Sequence, residues 1–452
     1  MLNDTTRTTT VLLAITAMAV VLAGPITAAT YYVDTANADA ADTNAGTETA
    51  PFKTIGQAAA TAEAGDVVVV RAGHYDEVVT IARTGKKDRL ITFRADPSRK
   101  ARLKGFILKA DYISIEGFEI TNPADGADGI YAGQTHLETA RTGCRMIGNF
   151  IHDLTGTAIT SGTHAVVKDN LMRNVFRGVF VNSNTLVENN EVDTLVPVII
   201  EQNGRMRPRK SQYAFFSGED ITFRGNHFHG SPMKDMASWG LDFFTTWDAD
   251  ILPPSRRILI ENNRCFNATH ASEPLAEQHK QSSHITYRNN LFVNTVYVGI
   301  LCKQWSHITI ENNTFINCGA YPIWFQKPRE TEGSIVRNNL IAYWNHTPLP
   351  DHKEAESGIR VDDGLPEVDC DYNMFFGTKN RQYGPHDFTA EPRFVDPSKG
   401  DFRLKAGSPG IDAGTPVPGL NADLAGTPRP QGDGWDIGAY EHKPVPERKG
   451  ND

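Results

Sequence analysis

Nine times this chain closes a run of alternating apolar residues with Asn, any residue and an apolar residue. The copies read GNFI at Asn149, DNLM at Asn170, NNEV at Asn190, GNHF at Asn226, NNRC at Asn263, NNLF at Asn290, NNTF at Asn313, NNLI at Asn339 and YNMF at Asn373. Successive gaps are 21, 20, 36, 37, 27, 23, 26 and 34 residues. A repeat of this period marks a solenoid, whose units bury their apolar faces only against their neighbours.

In the copies beginning at His284 and His307, residues 285, 287, 308 and 310 are apolar and alternate with polar ones. That is the period of a strand with one buried face. The Asn pair turns the chain, because Asn tolerates left-handed backbone angles. Phe292 and Phe315 then re-enter the core. Stacked copies place one Asn amide above the next, so the amides should hydrogen-bond along the stack. A leucine-rich repeat would need recurring leucines and a helical segment in each unit, and the copies have neither. The shortest gap, 20 residues, fits three short strands and three turns. The expected fold is a right-handed parallel β-helix of roughly nine to twelve coils, with insertions in the longer gaps.

The chain has 452 residues, a net charge of −9 and 40% hydrophobic residues, enough for a substantial core. The charge argues against a nucleic-acid partner, which usually meets a strongly basic surface. Val11 to Ala23 is an apolar run too short to span a membrane, so 1–29 reads as a cleaved export signal. Residues 30–376 then carry the β-helix and its N-terminal cap, with a helix expected within 51–64. The repeat stops beyond Phe376, so 377–442 reads as an irregular segment folded onto the last coils and 443–452 as a disordered tail. The chain is expected to be an exported monomer without membrane insertion. Its five cysteines, Cys144, Cys265, Cys302, Cys318 and Cys370, are no disulfide framework. Most read as core fillers, and one pair, Cys302 with Cys318, could be bridged.

YYVD at Tyr31, GTETAPFKTIGQAA at Gly46 and GDVVVVRAGHYDE at Gly65 resemble the N-terminal signature of secreted right-handed β-helix proteins of the pectate-lyase-like superfamily. SPGIDAG at Ser408 and DIGAYE at Asp436 resemble their closing segment. The resemblance spans nearly the whole mature chain. It implies the same fold and a polysaccharide lying in a groove along one strand face. It covers both uronate lyases and glycoside hydrolases, and fold alone does not choose between them.

The gaps of 36 and 37 residues bracket Asn190 to Asn263, so two adjacent coils carry long loops that should wall such a groove. Counting back from each repeated phrase aligns segments 241–247, 275–280, 299–304, 323–326 and 359–362. Alternation then turns Phe243, Ile300, Cys302, Ile323, Phe325, Ile359 and Val361 inward. It turns Asp242, Phe244, Glu277, His279, Lys303, Trp324, Gln326, Arg360 and Asp362 outward, and a slip of one residue would reverse each set.

Two chemistries fit this patch. A uronate lyase needs a base and positive charge beside the developing carbanion. Lys303 or His279 could be the base, with Arg360 and Lys280 neutralising charge. The basic run Arg205 to Lys210, which includes Arg209, suits an anionic polymer. Some lyases of the resembled fold use calcium, for which Asp242 and Glu277 could supply oxygen ligands. Alternatively, Asp242 and Glu277 form the carboxylate pair of a glycoside hydrolase. Trp247 and Trp324 could stack on sugar rings in either scheme. A non-catalytic carbohydrate-binding or surface protein is the third reading. His227 and His229 alternate out of a strand and read as structural. Asp125 and Asp128 lack the spacing of an EF-hand loop.

Overall fold

The computed structural model describes residues 28–444 apart from 138, 203, 234–239, 248–251, 276–281, 304, 327–330, 345–357, 364–367 and 380–382. Its strands stack in parallel as a right-handed β-helix with three strand positions per coil. In the first stack, thirteen strands register one on the next, from Thr30–Val33 to Asp369–Asp371. This is slightly more than the repeat alone suggests, because the N-terminal coils lack the Asn phrase. Alternation works as expected here: Ile258, Ile285 and Ile308 share one column and are buried, as are Cys265, Phe292 and Phe315 in the second stack.

The repeated Asn builds the corner between these two stacks. Each Oδ1 accepts both the backbone N–H and the side-chain amide of the Asn one coil earlier. Asn290 N and Nδ2 lie 3.0 and 2.9 Å from Asn313 Oδ1, and Asn149 N and Nδ2 both lie 3.0 Å from Asn170 Oδ1. The ladder runs unbroken from Asn149 to Asn373. Phe118 N–H donates to Asn149 Oδ1 at one end, and Asp387 Oδ1 accepts from Asn373 at the other. The left-handed residue is the one before the ladder Asn, with φ of 51–58° at Asn262, Asn289, Asn312 and Asn338 and glycine at 148 and 225. The two asparagines of a pair thus divide the work, the first turning the chain and the second bonding along the stack.

The N-terminal end is covered by the helix Ile55–Thr61, shorter than the expected span. Thr54 caps it, and Ile55, Ala58 and Ala59 are buried. Glu77 accepts from the N–H groups of Ile55 and Gly56 at 2.8 and 3.0 Å. Its carboxylate therefore satisfies two otherwise open donors at the positive end of the helix. Glu77→Ala should cost about 1–2 kcal/mol. Urea unfolding of the variant checks this, with Glu77→Gln falling between the two.

The C-terminal segment reaches farther back than the last coils. Its apolar residues Phe394, Phe402, Leu404, Leu424, Ile437 and Ala439 cover Leu291, Ile316, Leu340 and Met374 from outside. The first asparagines of three pairs hold it, Asn289 Nδ2 to Ala422 O, Asn312 Nδ2 to Asp436 O and Asn338 Nδ2 to Thr415 O, at 2.6, 3.0 and 2.7 Å. All five cysteines are free and buried, so the Cys302–Cys318 bridge is not made. Both sulfurs instead serve as small apolar fillers in the stack. Among the described residues no helix is long and apolar enough to cross a membrane.

Candidate active site

Both long insertions sit at the corner before the third stack. The first forms an antiparallel hairpin, Ile199–Gln202 with Arg205–Pro208, and delivers Arg209 and Lys210 to the head of Ser211–Phe216. The second ends at Leu241–Trp247. Register on the third stack then brings distant residues into columns. Gln212 stands opposite Asp242, and Asp242 opposite His270. In the neighbouring column, Phe215 stands opposite Thr245, and Thr245 opposite Glu273. These coils enclose a groove of about 460 Å³ with Asp242, Thr245 and Glu273 along its floor and Arg177, Arg209, Lys210, Gln212, Phe215 and Trp247 around it.

Asp242 is the anchor of the floor and is 1% exposed. Its Oδ1 accepts from His270 Nδ1 at 2.9 Å, and its Oδ2 from Thr245 Oγ1 at 3.1 Å. One side-chain ligand atom from each of Asp242, His270 and Glu273 lies within 4.8 Å of the others. Lys210 Nζ approaches Glu273 Oε2 at 3.7 Å. Arg177 Nε donates to Gln212 Oε1 at 2.9 Å, and its guanidinium lies 5.5 Å from the centres of the Phe176 and Phe215 rings. Arg209 lies 5.0 Å over Phe176. The aromatic faces hold two like-charged groups at one rim.

The electrostatics follow from burial. Burial would push the His270 imidazole down, but the hydrogen bond and charge of Asp242 outweigh it and hold the pKa above its ordinary value. Burial, then the charge of Asp242, pushes the Glu273 carboxyl up toward its neutral form. Burial and the charge of Arg209 bring Arg177 down to about 10, which leaves it cationic.

Several expectations change. Asp242 lies in the groove as expected, but its carboxylate is buried and already engaged. Phe244, placed outward by alternation, is fully buried and packs 5.3 Å from the Phe223 ring. The register keeps one offset through Gln212↔Asp242 and Ala214↔Phe244, but alternation breaks between them, and both Phe243 and Phe244 are buried. The segment opposite Leu241–Trp247 is 269–275, not 275–280, because the loop follows this strand instead of preceding it. Glu277, His279 and Lys280 lie outside the described residues. Lys303 stands opposite Leu275, which stands opposite Trp247, and Trp247 is 53% exposed. Trp324 and Arg360 occur farther along the same stack as a closed set. Arg360 lies 4.7 Å over the Trp324 ring and bonds Asp362 at 3.0 Å, while Trp324 Nε1 donates to the same Asp362 oxygen at 3.0 Å. The sequence reading missed His270, Glu273 and Arg177. Counting forward from Asn170 and Asn263 reaches Arg177 and His270 at the same offset of 7 residues.

Calcium does not fit the described part of this floor. It takes six to eight oxygens from ionised carboxylates and carbonyls. Here one member is an imidazole, Asp242 spends both oxygens on neighbours, and burial raises the pKa of Glu273. A second cluster stands outward on the second stack: His229 Nε2 lies 3.0 Å from Glu191 Oε1, and burial with the charge of His229 brings His227 down to about 4.

Residues 198–384 match the family described as right handed beta helix region. Residues 38–82 match one described as "Protein of unknown function (DUF1565)". No curated protein matches the chain in sequence. Among solved structures, pectate lyase Pel9A superposes over 92% of this chain and 97% of its own, with a TM-score of 0.53 and 17% identity. The complex of XylC with xylose covers 92% and 99%, with a TM-score of 0.56 and 12% identity. The alginate lyase AlyGC, of the PL6 family, covers 78% of this chain and 54% of its own, with a TM-score of 0.50 and 16% identity. Identities this low express a shared fold. What the chain shares with them is the right-handed parallel β-helix fold.

Proposed function

We propose that this protein is a polysaccharide lyase that cleaves a uronate-containing polymer by β-elimination in the groove over Asp242, His270 and Glu273. One observation carries the reading: three cations, Arg177, Arg209 and Lys210, line a groove floored by Asp242 and Glu273, and the buried Asp242 carboxylate also holds the His270 imidazole beside it. Asp242 is too enclosed to reach a sugar as a nucleophile, but it fixes the ring and the tautomer of His270. In its neutral form His270 takes the proton α to the uronate carboxylate. The rim cations hold that carboxylate and stabilise the charge as it develops. The carbon–carbon double bond forms as the glycosidic C–O bond breaks, and the neutral carboxyl of Glu273 returns a proton to the departing oxygen. Trp247, exposed at the groove edge, offers a face for a neighbouring sugar ring. A substrate of this kind places the protein outside the cytoplasm, in line with the export signal expected at 1–29.

The test is incubation of the protein with uronate and neutral polysaccharides, with and without calcium, following ultraviolet absorbance and reducing ends together. Absorbance on an acidic polymer is the expected result. Arg209→Ala should then raise KM about tenfold with a smaller change in kcat, and added salt should shrink that difference, because the contact is between exposed charges. Reducing ends without absorbance would overturn elimination in favour of hydrolysis. Silence on both would favour a binding protein.

A further inference from the structure

We infer that Glu191, His227 and His229 form a transition-metal site on the outer face of the second stack, suited to a divalent ion of the zinc class. The three residues come from two successive coils. His227 stands opposite Glu191 and His229 opposite Asp193 across the parallel ladder. Phe228 between the histidines is 1% exposed and points into the core, so both imidazoles project from one face. Their rings lie 4.1 Å apart. His229 Nε2 and Glu191 Oε1 are 3.0 Å apart, and one ligand atom from each of the three residues lies within 4.8 Å of the other two.

A tetrahedral zinc, with bonds of about 2.0–2.1 Å, sets its ligand atoms about 3.3 Å apart. Rotation of half-buried side chains on a fixed strand pair covers the difference. Two imidazoles and one carboxylate, with a position left for water, are the ligand chemistry of zinc and its neighbours. Calcium and magnesium take oxygen ligands instead. The surroundings fit the same purpose. Asp193 Oδ1 lies 3.7 Å from His229 Nδ1, on the side away from Glu191, where a carboxylate would fix the tautomer that leaves Nε2 for the metal. Arg173 holds that carboxylate in turn at 2.8 Å, and Phe266 packs edge-on against His227 at 5.8 Å.

The position also has a consequence. Glu191 and His227 begin paired second-stack strands of successive coils, and the first long insertion lies in the chain between them. An ion here would join the start and the end of the coil from which Arg209 and Lys210 reach the groove.

The experiment is calorimetric titration with zinc chloride. It is done in an Asp242→Asn background, so that the groove carboxylates contribute no second site. One equivalent should bind. His227→Gln with His229→Gln should weaken binding at least 100-fold, and Asp193→Asn should weaken it about 10–100-fold through the orientation of His229. Far-UV circular dichroism controls for folding of the variants. Cobalt(II) added to the chain with both histidines intact should give visible absorption bands of imidazole coordination that zinc abolishes. No binding in that background, binding unchanged in the double variant, or a cobalt spectrum of oxygen ligands alone would each overturn the proposal.

Discussion

If the groove eliminates as proposed, replacing His270 with Gln should lower kcat/KM on the cleaved polymer by about 10²–10⁴-fold, the usual contribution of a positioned base. The pH profile carries the more specific expectation. The hydrogen bond and charge of Asp242 hold the imidazole above its ordinary 6.5, so its neutral, proton-accepting form appears only at higher pH. Activity should therefore rise with pH along an acid limb whose midpoint lies above 6.5. In Asp242→Asn the raising charge is gone and burial, which lowers the pKa, remains. The limb should move to lower pH while kcat/KM falls, because the amide fixes the ring less well and no longer stabilises the imidazolium. A limb that stays in place, or a His270→Gln variant with full activity, would remove the dyad from the mechanism. Glu273 sets the opposite limb. Its neutral form is the useful one, so activity should decline as pH rises through its raised pKa. Glu273→Gln should abolish that decline together with most of the rate.

Asn313→Ala should destabilise the fold by about 4 kcal/mol, because several buried groups lose partners at once, each at about 1–3 kcal/mol. Asn313 Oδ1 accepts Asn290 N and Nδ2 at 3.0 and 2.9 Å, and its own amide donates to Tyr287 O, Glu311 O and Asn339 Oδ1 at 2.9, 3.1 and 3.1 Å. The residue is fully buried, so no water replaces these bonds. Asn149→Ala offers the comparison. There the Oδ1 serves Phe118 N–H, a single donor, and fewer groups are orphaned. Its loss should be clearly smaller. Asn313→Asp keeps the acceptor but buries a charge and removes the donor, and it should fall on the severe side. Thermal and urea unfolding of the three variants test this. Equal, small losses would mean that the ladder decorates a corner held by the apolar columns alone.

Much of the fold could be read from the chain because its causes are local. The tolerance of Asn for left-handed angles, the alternation around Ile285 and Ile308 and the return of Phe292 and Phe315 each span fewer than ten residues. Repetition made them unmistakable. The inward positions of Cys265, Ile300, Cys302, Ile323, Phe325 and Ile359 followed from the same alternation. The division of labour within the doubled asparagines did not, since Asn289, Asn312 and Asn338 turn outward to a segment more than seventy residues away.

The site was harder to find for a definite reason. Its members were sought by counting back across loops of variable length, which led from Asp242 to Glu277 and His279, outside the described residues, whereas the register sets His270 opposite Asp242 and Glu273 opposite Thr245. The rule that fixes the partner is hydrogen-bond register between coils, and a loop can lengthen on either side of a strand without disturbing it. A shift of six residues in the counting exchanged one set of chemical groups for another. The sequence by itself determined the solenoid, its Asn corner and the coils that carry long insertions, because each depends on nearest neighbours along the chain or on exact repetition. Only the tertiary structure decided that Gln212, Asp242 and His270 share one column, with Arg177 bonded to Gln212 at its end. Residues some thirty positions apart meet there through parallel pairing, and no local preference records which residue a strand will face.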